Sequence, residues 1–106
     1  MTLEQVREDL REIRIYYANK ELFDDTSLVI PPHTIVKKVE KYNKAMQNAP
    51  ARLYVLYVSL FLKNKTAFAY ADDVGYARDY VRQLSCRLSR YLQEELTKLE
   101  KNNQDN

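Results

Sequence analysis

The chain has 106 residues, of which 45% are hydrophobic and 30% charged, and its formal net charge is +2. This length suits one domain with a modest core, and the composition excludes a disordered chain. No stretch approaches the roughly 20 apolar residues that cross a bilayer, so no membrane partner is expected. The single cysteine, Cys86, cannot form an internal disulfide, and the charged start is unlike a secretory signal. We therefore expect a cytoplasmic protein.

The first predicted element is an amphipathic helix over residues 2–22. Thr2 and Gln5 have the spacing of a capping box at its start. Apolar residues then recur every three or four positions, at Leu3, Val6, Leu10, Ile13 and Tyr17. This stripe either covers the chain's own bundle or crosses to a second subunit. Acidic turn residues and prolines follow in FDDTSLVIPP, so residues 1–32 are predicted to form an N-terminal helix and loop.

A second helix is predicted over residues 34–47 and a third over residues 51–63. Three lysines lie opposite the apolar side of the second helix and are predicted as weak phosphate contacts, namely Lys37, Lys41 and Lys44. The third segment, ARLYVLYVSLFLK, is apolar nearly all round. That pattern indicates the central buried helix of a small bundle.

The last part of the chain predicts a short helix, AFAYADDV, capped by Thr66, and a long helix over residues 77–99. Residues 100–106 are expected to be a frayed tail. Helical periodicity is present in nearly every segment, so the predicted fold class is all-α, a small bundle of about five helices. Residues 33–99 are predicted to form one helical domain.

Residues 67–92 have the features of a helix-turn-helix. Gly75, the only glycine, supplies the positive φ that the turn needs. Ala71, four residues earlier, provides the small contact between the two helices. Val81 and Leu84 are expected to point inward and hold the second helix. The alternative is an ordinary helical corner with a solvated charged face, because glycine often ends helices.

The outer side of the last helix is polar and basic. A rotation of about 100° per residue separates this side from the apolar arc of the same helix. Arginine can donate two hydrogen bonds to guanine, and glutamine can pair with adenine, in the major groove. The residues predicted to bind DNA are Arg78, Asp79, Arg82, Gln83, Cys86 and Arg90.

The distribution of charge agrees with a polyanionic partner. Residues 33–65 carry seven lysines and arginines against one glutamate, and residues 76–92 carry four arginines against one aspartate. The remaining segments are acidic on balance, so a polyanion is expected to contact the middle of the chain and the last helix rather than the ends. The same charges also suit solvated helix faces.

The stretch VGYARDYVRQL resembles the recognition segment of region 4 in bacterial sigma factors, whose pattern is roughly Leu-Gly-Val-Ser/Thr-Arg-Glu-Arg-Val/Ile-Arg-Gln-Ile. Asp79 stands where that family has glutamate, and Ala77 where it has a hydroxyl residue. The resemblance covers residues 53–92 at most. It implies that the promoter −35 element is read by Arg78, Asp79, Arg82 and Gln83.

The preceding segment, EKYNKAMQNAPARLYVLYVSLFLKNKT, is similar to the one that precedes such a module in phage-type late-transcription regulators of the ArpU and RinA kind. This similarity implies a sequence-specific transcription regulator that binds double-stranded DNA, with RNA polymerase as a further partner. No counterpart of sigma region 2 is found, so a complete sigma factor is not expected. Because such regulators commonly pair across two half-sites, we expect a homodimer with the first helix in its interface.

No set of residues suits catalysis, so no enzyme, metal site or cofactor is predicted. His33 is the only histidine and lies beside prolines, in a predicted surface loop. Arg82 and Arg90 lie one helical turn from Cys86 on either side, which leaves a redox role for this thiol as an alternative. Two further alternatives to DNA binding are a helical module that binds another protein, such as a polymerase subunit, and an adaptor without a nucleic-acid role.

Overall fold

The structure, a computed structural model, describes the backbone of residues 1–20 and 33–104 and the side chains of residues 1–20 and 34–101. The described residues contain no strand, and their helices are α1 (Leu3–Ala18), α2 (His33–Met46), α3 (Ala51–Tyr57, continued by a π-helical turn, Val58–Leu62), α4 (Ala67–Val74) and α5 (Arg78–Gln104). The predicted all-α class with about five helices is confirmed, while the predicted loop at 23–32 lies outside the described residues. Within this part of the chain no helix has the length and apolar character that crossing a membrane requires.

Threonine side chains set the starts of α1 and α4, as predicted. The Thr2 hydroxyl accepts a hydrogen bond from the Gln5 amide, and the Thr66 hydroxyl accepts one from the Ala69 amide, both at 3.1 Å. Each cap satisfies an amide that the first turn of a helix leaves unpaired. The reciprocal half of the predicted capping box, in which Gln5 Oε1 would accept from the Thr2 amide, is not formed between the described residues, and Gln5 Nε2 donates to Asp9 at 2.9 Å.

Two helix ends differ from the predicted ones. α1 ends at Ala18 rather than near residue 22, because Asn19 leaves the helical conformation at φ −107° and ψ 10°, and its side-chain amide donates to the Ile15 carbonyl at 2.9 Å. α5 runs to Gln104, past the predicted end at Leu99. Residues 100–104 are therefore helical, and the prediction of a frayed tail beginning at residue 100 is wrong for them.

α3 changes its hydrogen-bond spacing in its second half. The Lys63 amide donates to the Val58 carbonyl, five residues earlier, at 2.9 Å, which gives a wider π-helical turn. The turn presents Leu60 to the core at 6% exposure. The chain then leaves the helix at Asn64, whose φ of 59° is left-handed.

The long helix α5 is the centre of the bundle, since it contacts each of the other four helices. Its inner stripe is at most 2% exposed and consists of Val81, Leu84, Leu88, Leu92 and Leu96. The sequence predicted that α3 is the central buried helix. This prediction is wrong, because Tyr54 and Val55 of α3 are 48% and 47% exposed. A stripe that continues over several turns of α5 offers a longer contact surface than the short α3.

α1 packs into the same core as the rest of the chain. Val6, Leu10 and Ile13 are at most 3% exposed and belong to one hydrophobic cluster with α2, α3, α4 and α5. The described residues therefore do not divide into an N-terminal unit and a separate bundle. Val6, Leu10 and Ile13 have no surface left for a second subunit, whereas Leu3 and Tyr17 are partly exposed, so the contribution of α1 to a dimer interface stays a prediction. The homodimer itself stays a prediction.

A buried carboxylate fixes α1 against α2. Asp9 is 3% exposed and accepts hydrogen bonds from the Tyr42 hydroxyl at 2.7 Å and from Gln5. Lys38 Nζ lies 3.1 Å from the same carboxylate, which therefore keeps a charged partner. Burial, reinforced by the hydrogen bond to Asp9, raises the pKa of Tyr42.

Leu88→Ala tests the central position of α5. We expect the free energy of unfolding to fall by about 2–5 kcal/mol, because a fully buried leucine leaves a cavity when it is truncated. Lys98→Ala, at an exposed position of the same helix, should change it by less than about 0.5 kcal/mol. Urea denaturation followed by circular dichroism measures both, and equal losses in the two variants would contradict the assignment.

Candidate nucleic-acid interface

A tight corner at Gly75 joins α4 to α5. Gly75 has φ 75° and ψ 27°, the left-handed conformation that the sequence predicts. The Tyr76 amide donates to the Ala71 carbonyl at 2.9 Å and closes the end of α4. Ala71, Val81 and Leu84 are each at most 2% exposed, so the corner holds α4 against the inner face of α5. Such a corner is common to helix-turn-helix motifs and to ordinary helical hairpins.

The outer face of the first half of α5 is exposed to solvent. All six residues of the predicted DNA-binding set are exposed, namely Arg78, Asp79, Arg82, Gln83, Cys86 and Arg90. The side chains of Asp79 and Arg82 are 88% and 79% exposed, with Arg82 Nη1 4.0 Å from Asp79 Oδ1. An ion pair at this exposure contributes little to stability. The Arg82 guanidinium can therefore exchange this partner for another acceptor at small cost.

The first arginine of this face is positioned by α4. The Arg78 guanidinium carbon lies 4.3 Å from the centre of the Phe68 ring, in the geometry of a cation–π contact. Phe68 is itself 57% exposed, so the contact is at the surface. α4 thus supports the N-terminal end of α5 through this contact as well as through its buried residues.

α1 contributes arginines that the sequence analysis did not assign to the interface. Arg7, Arg11 and Arg14 are spaced by four and three residues, which places them on one side of the helix. Together with Arg82 of α5 they line an open groove of about 340 Å³ between α1 and α5. The start of the chain therefore carries basic groups that line the same groove as Arg82, although the summed charge of residues 1–32 is acidic.

The groove has a cationic rim and an apolar floor. The floor is formed by Leu10, Phe61 and Leu88, and the α5 wall adds Ser85, Cys86 and Ser89. Among the described lining residues none is acidic. Because the rim carries one sign of charge above a low-dielectric floor, the groove attracts anions.

The arginines of α1 differ in how they are held. Arg14 is anchored, since its guanidinium donates to the side chain of Asn64 at 3.3 Å and to the Asn64 carbonyl at 3.4 Å. Arg7 and Arg11 are exposed, and neither takes part in the ion pairs formed between the described residues. These two guanidinium groups are therefore available to an anionic partner.

The lysines predicted as weak phosphate contacts lie elsewhere. Lys37, Lys41 and Lys44 line a recess with Glu40 and the C-terminal half of α5, and Lys41 Nζ is 3.5 Å from Glu100 Oε1. At roughly 1.5 Å per residue, Glu100 lies about 27 Å along α5 from Arg82. The lysines are thus a second cationic site, partly neutralised by glutamates, and are not continuous with the exposed N-terminal face of α5.

Comparison with protein-family models, with curated proteins and with solved structures gives no match. The likeness to sigma region 4 and to phage regulators therefore rests on the quoted residues alone.

Gly75→Val tests the conformation of the corner. The expected loss is about 1–3 kcal/mol of unfolding free energy, because a β-branched residue is strained at positive φ. Apart from Gly75 and its two chain neighbours, no heavy atom of the described residues lies within 4 Å of a Cβ built at this position, so backbone strain rather than a clash causes the loss.

Gly75→Asn is the matched control, since asparagine tolerates the left-handed conformation better than valine. Its melting temperature should fall less than that of Gly75→Val. An unchanged melting temperature for the valine variant would show that the corner does not require a left-handed residue.

Proposed function

We propose that this chain is a sequence-specific, double-stranded DNA-binding transcription regulator of the phage type that its sequence resembles. The N-terminal half of α5 is its recognition helix, and α4 with Gly75 supplies the preceding part of a helix-turn-helix. The observation that carries the proposal is the exposed basic face of α5, which borders a groove lined by four arginines.

The exposed side chains have the chemistry that base recognition needs. Arginine donates two hydrogen bonds to O6 and N7 of guanine, which suits Arg78 and Arg82. Gln83 can pair with N6 and N7 of adenine, and Asp79 can accept from the amino group of cytosine. An α-helix with its side chains is about 10–12 Å across, which matches a major groove about 12 Å wide.

The core supports this role by making α5 rigid. The same helix that exposes Arg82 buries an apolar stripe on its other side, with Val81 and Leu84 directly behind the exposed residues. Side chains on a rigid helix lose less freedom on binding than side chains on a mobile loop. The contact with Phe68 further restricts the side chain of Arg78, one of the residues proposed to bind a base edge.

A second function has an observation in its favour. Tyr54 and Val55 are adjacent on α3 and each about half exposed, at 48% and 47%. Exposed apolar neighbours of this kind suit a protein partner such as an RNA polymerase subunit. A homodimer on paired half-sites would also need such a surface, because Val6, Leu10 and Ile13 of the apolar stripe of α1 are buried.

Fluorescence anisotropy with duplex DNA tests the proposed function. The full chain should bind random duplexes at low salt and lose affinity steeply as salt rises, because bound counterions are released from the phosphates. Selection from a random pool should then yield a preferred site. Absence of binding at low salt would contradict the proposal and leave the protein-binding function.

Arg82→Ala should weaken binding to the selected site by about 1–3 kcal/mol and relax the preference at one base pair. Arg82→Lys keeps the positive charge but loses the planar guanidinium that donates two parallel hydrogen bonds. This variant should therefore recover affinity for random DNA without recovering the preference at that base pair. Lys98→Ala removes one charge from an exposed position far along α5 and should retain site preference. If Arg82→Ala binds its site as tightly as the parent chain, Arg82 does not read a base.

A further inference from the structure

We propose that Arg7 and Arg11 of α1 bind backbone phosphates of the duplex whose major groove is read by α5. The inference rests on the proposed function and assigns a role to the N-terminal helix. The juxtaposition that supports it is the groove that these arginines share with Arg82, Ser85 and Cys86.

α5 and α1 cannot both occupy one major groove. α1 is packed directly against α5, and the axes of packed helices are about 8–10 Å apart. A major groove about 12 Å wide admits one helix about 10–12 Å across, so α1 cannot enter beside α5. When the face around Arg82 is in the groove, α1 therefore lies over the sugar–phosphate backbone that borders it.

α1 brings two exposed arginines to that backbone. Arg7 and Arg11 are one helical turn apart, about 5–6 Å between Cβ atoms, and both are exposed. Neither is engaged in an ion pair within the described part of the chain. Guanidinium groups bind phosphate through two parallel hydrogen bonds, so each of these arginines can hold one phosphate.

Arg14 is excluded from this role by its own contacts. Its guanidinium is held by the side chain and carbonyl of Asn64, at 3.3 and 3.4 Å. It would have to give up both hydrogen bonds to reach a phosphate. The phosphate contacts therefore belong to the two arginines nearer the start of α1.

In this arrangement α1 contacts phosphates and α5 contacts base edges. Contacts to phosphates set the position of a protein on the duplex and carry no sequence information, whereas contacts to base edges do. α1 would accordingly fix the register in which α5 meets the bases. Loss of the α1 arginines should weaken binding to every sequence alike and leave the preference for the selected site unchanged.

The experiment measures affinity by anisotropy over a range of salt concentrations, for the selected site and for a random duplex. For Arg7→Gln/Arg11→Gln, the slope of log affinity against log salt should be smaller in magnitude by about 2 on both duplexes. Each single variant should lower it by about 1. Circular dichroism confirms that the variants fold, and both positions are exposed.

The matched control is Lys98→Gln/Lys101→Gln, which removes the same charge from exposed positions near the far end of α5 and should keep the parent slope. If the parent chain binds DNA and Arg7→Gln/Arg11→Gln retains the parent slope, the inference is overturned while the proposed function stands. An equal loss of slope in the control would also overturn it, since net charge alone would explain the effect. If the parent chain binds neither duplex, the proposed function itself fails.

Discussion

The structure depends on one apolar stripe along α5, from Val81 to Leu96, against which every other helix packs. The stripe is continuous because apolar residues recur at steps of three and four over several turns. α2, α3 and α4 are short enough to be marginal as isolated helices in water, so their conformation depends on contact with the rest of the bundle. The stripe also fixes the rotation of α5, and with it the identity of the residues that face solvent.

The candidate interface follows from that rotation. When Val81 and Leu84 point inward, Arg78, Arg82 and Gln83 are directed outward. The reason is that each side chain has a fixed angular position around the helix axis, so burying one face exposes the other. α1 then supplies a second set of cationic groups, because Val6, Leu10 and Ile13 bind it to the core with its arginines turned toward α5. The candidate interface thus results from the burial of two apolar stripes, one on α1 and one on α5. Its positive charge comes from the arginines on the faces of these helices that stay exposed.

Local features were predictable from the sequence, and non-local ones were not. Helical periodicity predicted the helices, and the threonine caps and Gly75 predicted where α4 begins and ends. The arrangement of α1 beside α5 depends on contacts between distant positions, such as Gln93 Nε2 donating to the Met1 carbonyl at 3.1 Å. Summing charge over whole segments concealed the arginines of α1 among its acidic residues, although their spacing of four and three was a usable signal. The burial of the Asp9 carboxylate was not predictable in this way, because two of its partners, Tyr42 and Lys38, come from another helix and only Gln5 lies on its own.

The central claim is that the outer face of α5 and the adjacent arginines of α1 form one surface for DNA. NMR titration of the full chain with a duplex that carries the selected site tests it most directly. The account predicts shifts in the backbone amides of residues 78–86 and in the side-chain signals of Arg7 and Arg11, with the signals of Lys41 and its neighbours unchanged. Shifts confined to the exposed side of α3, around Tyr54 and Val55, would contradict the claim.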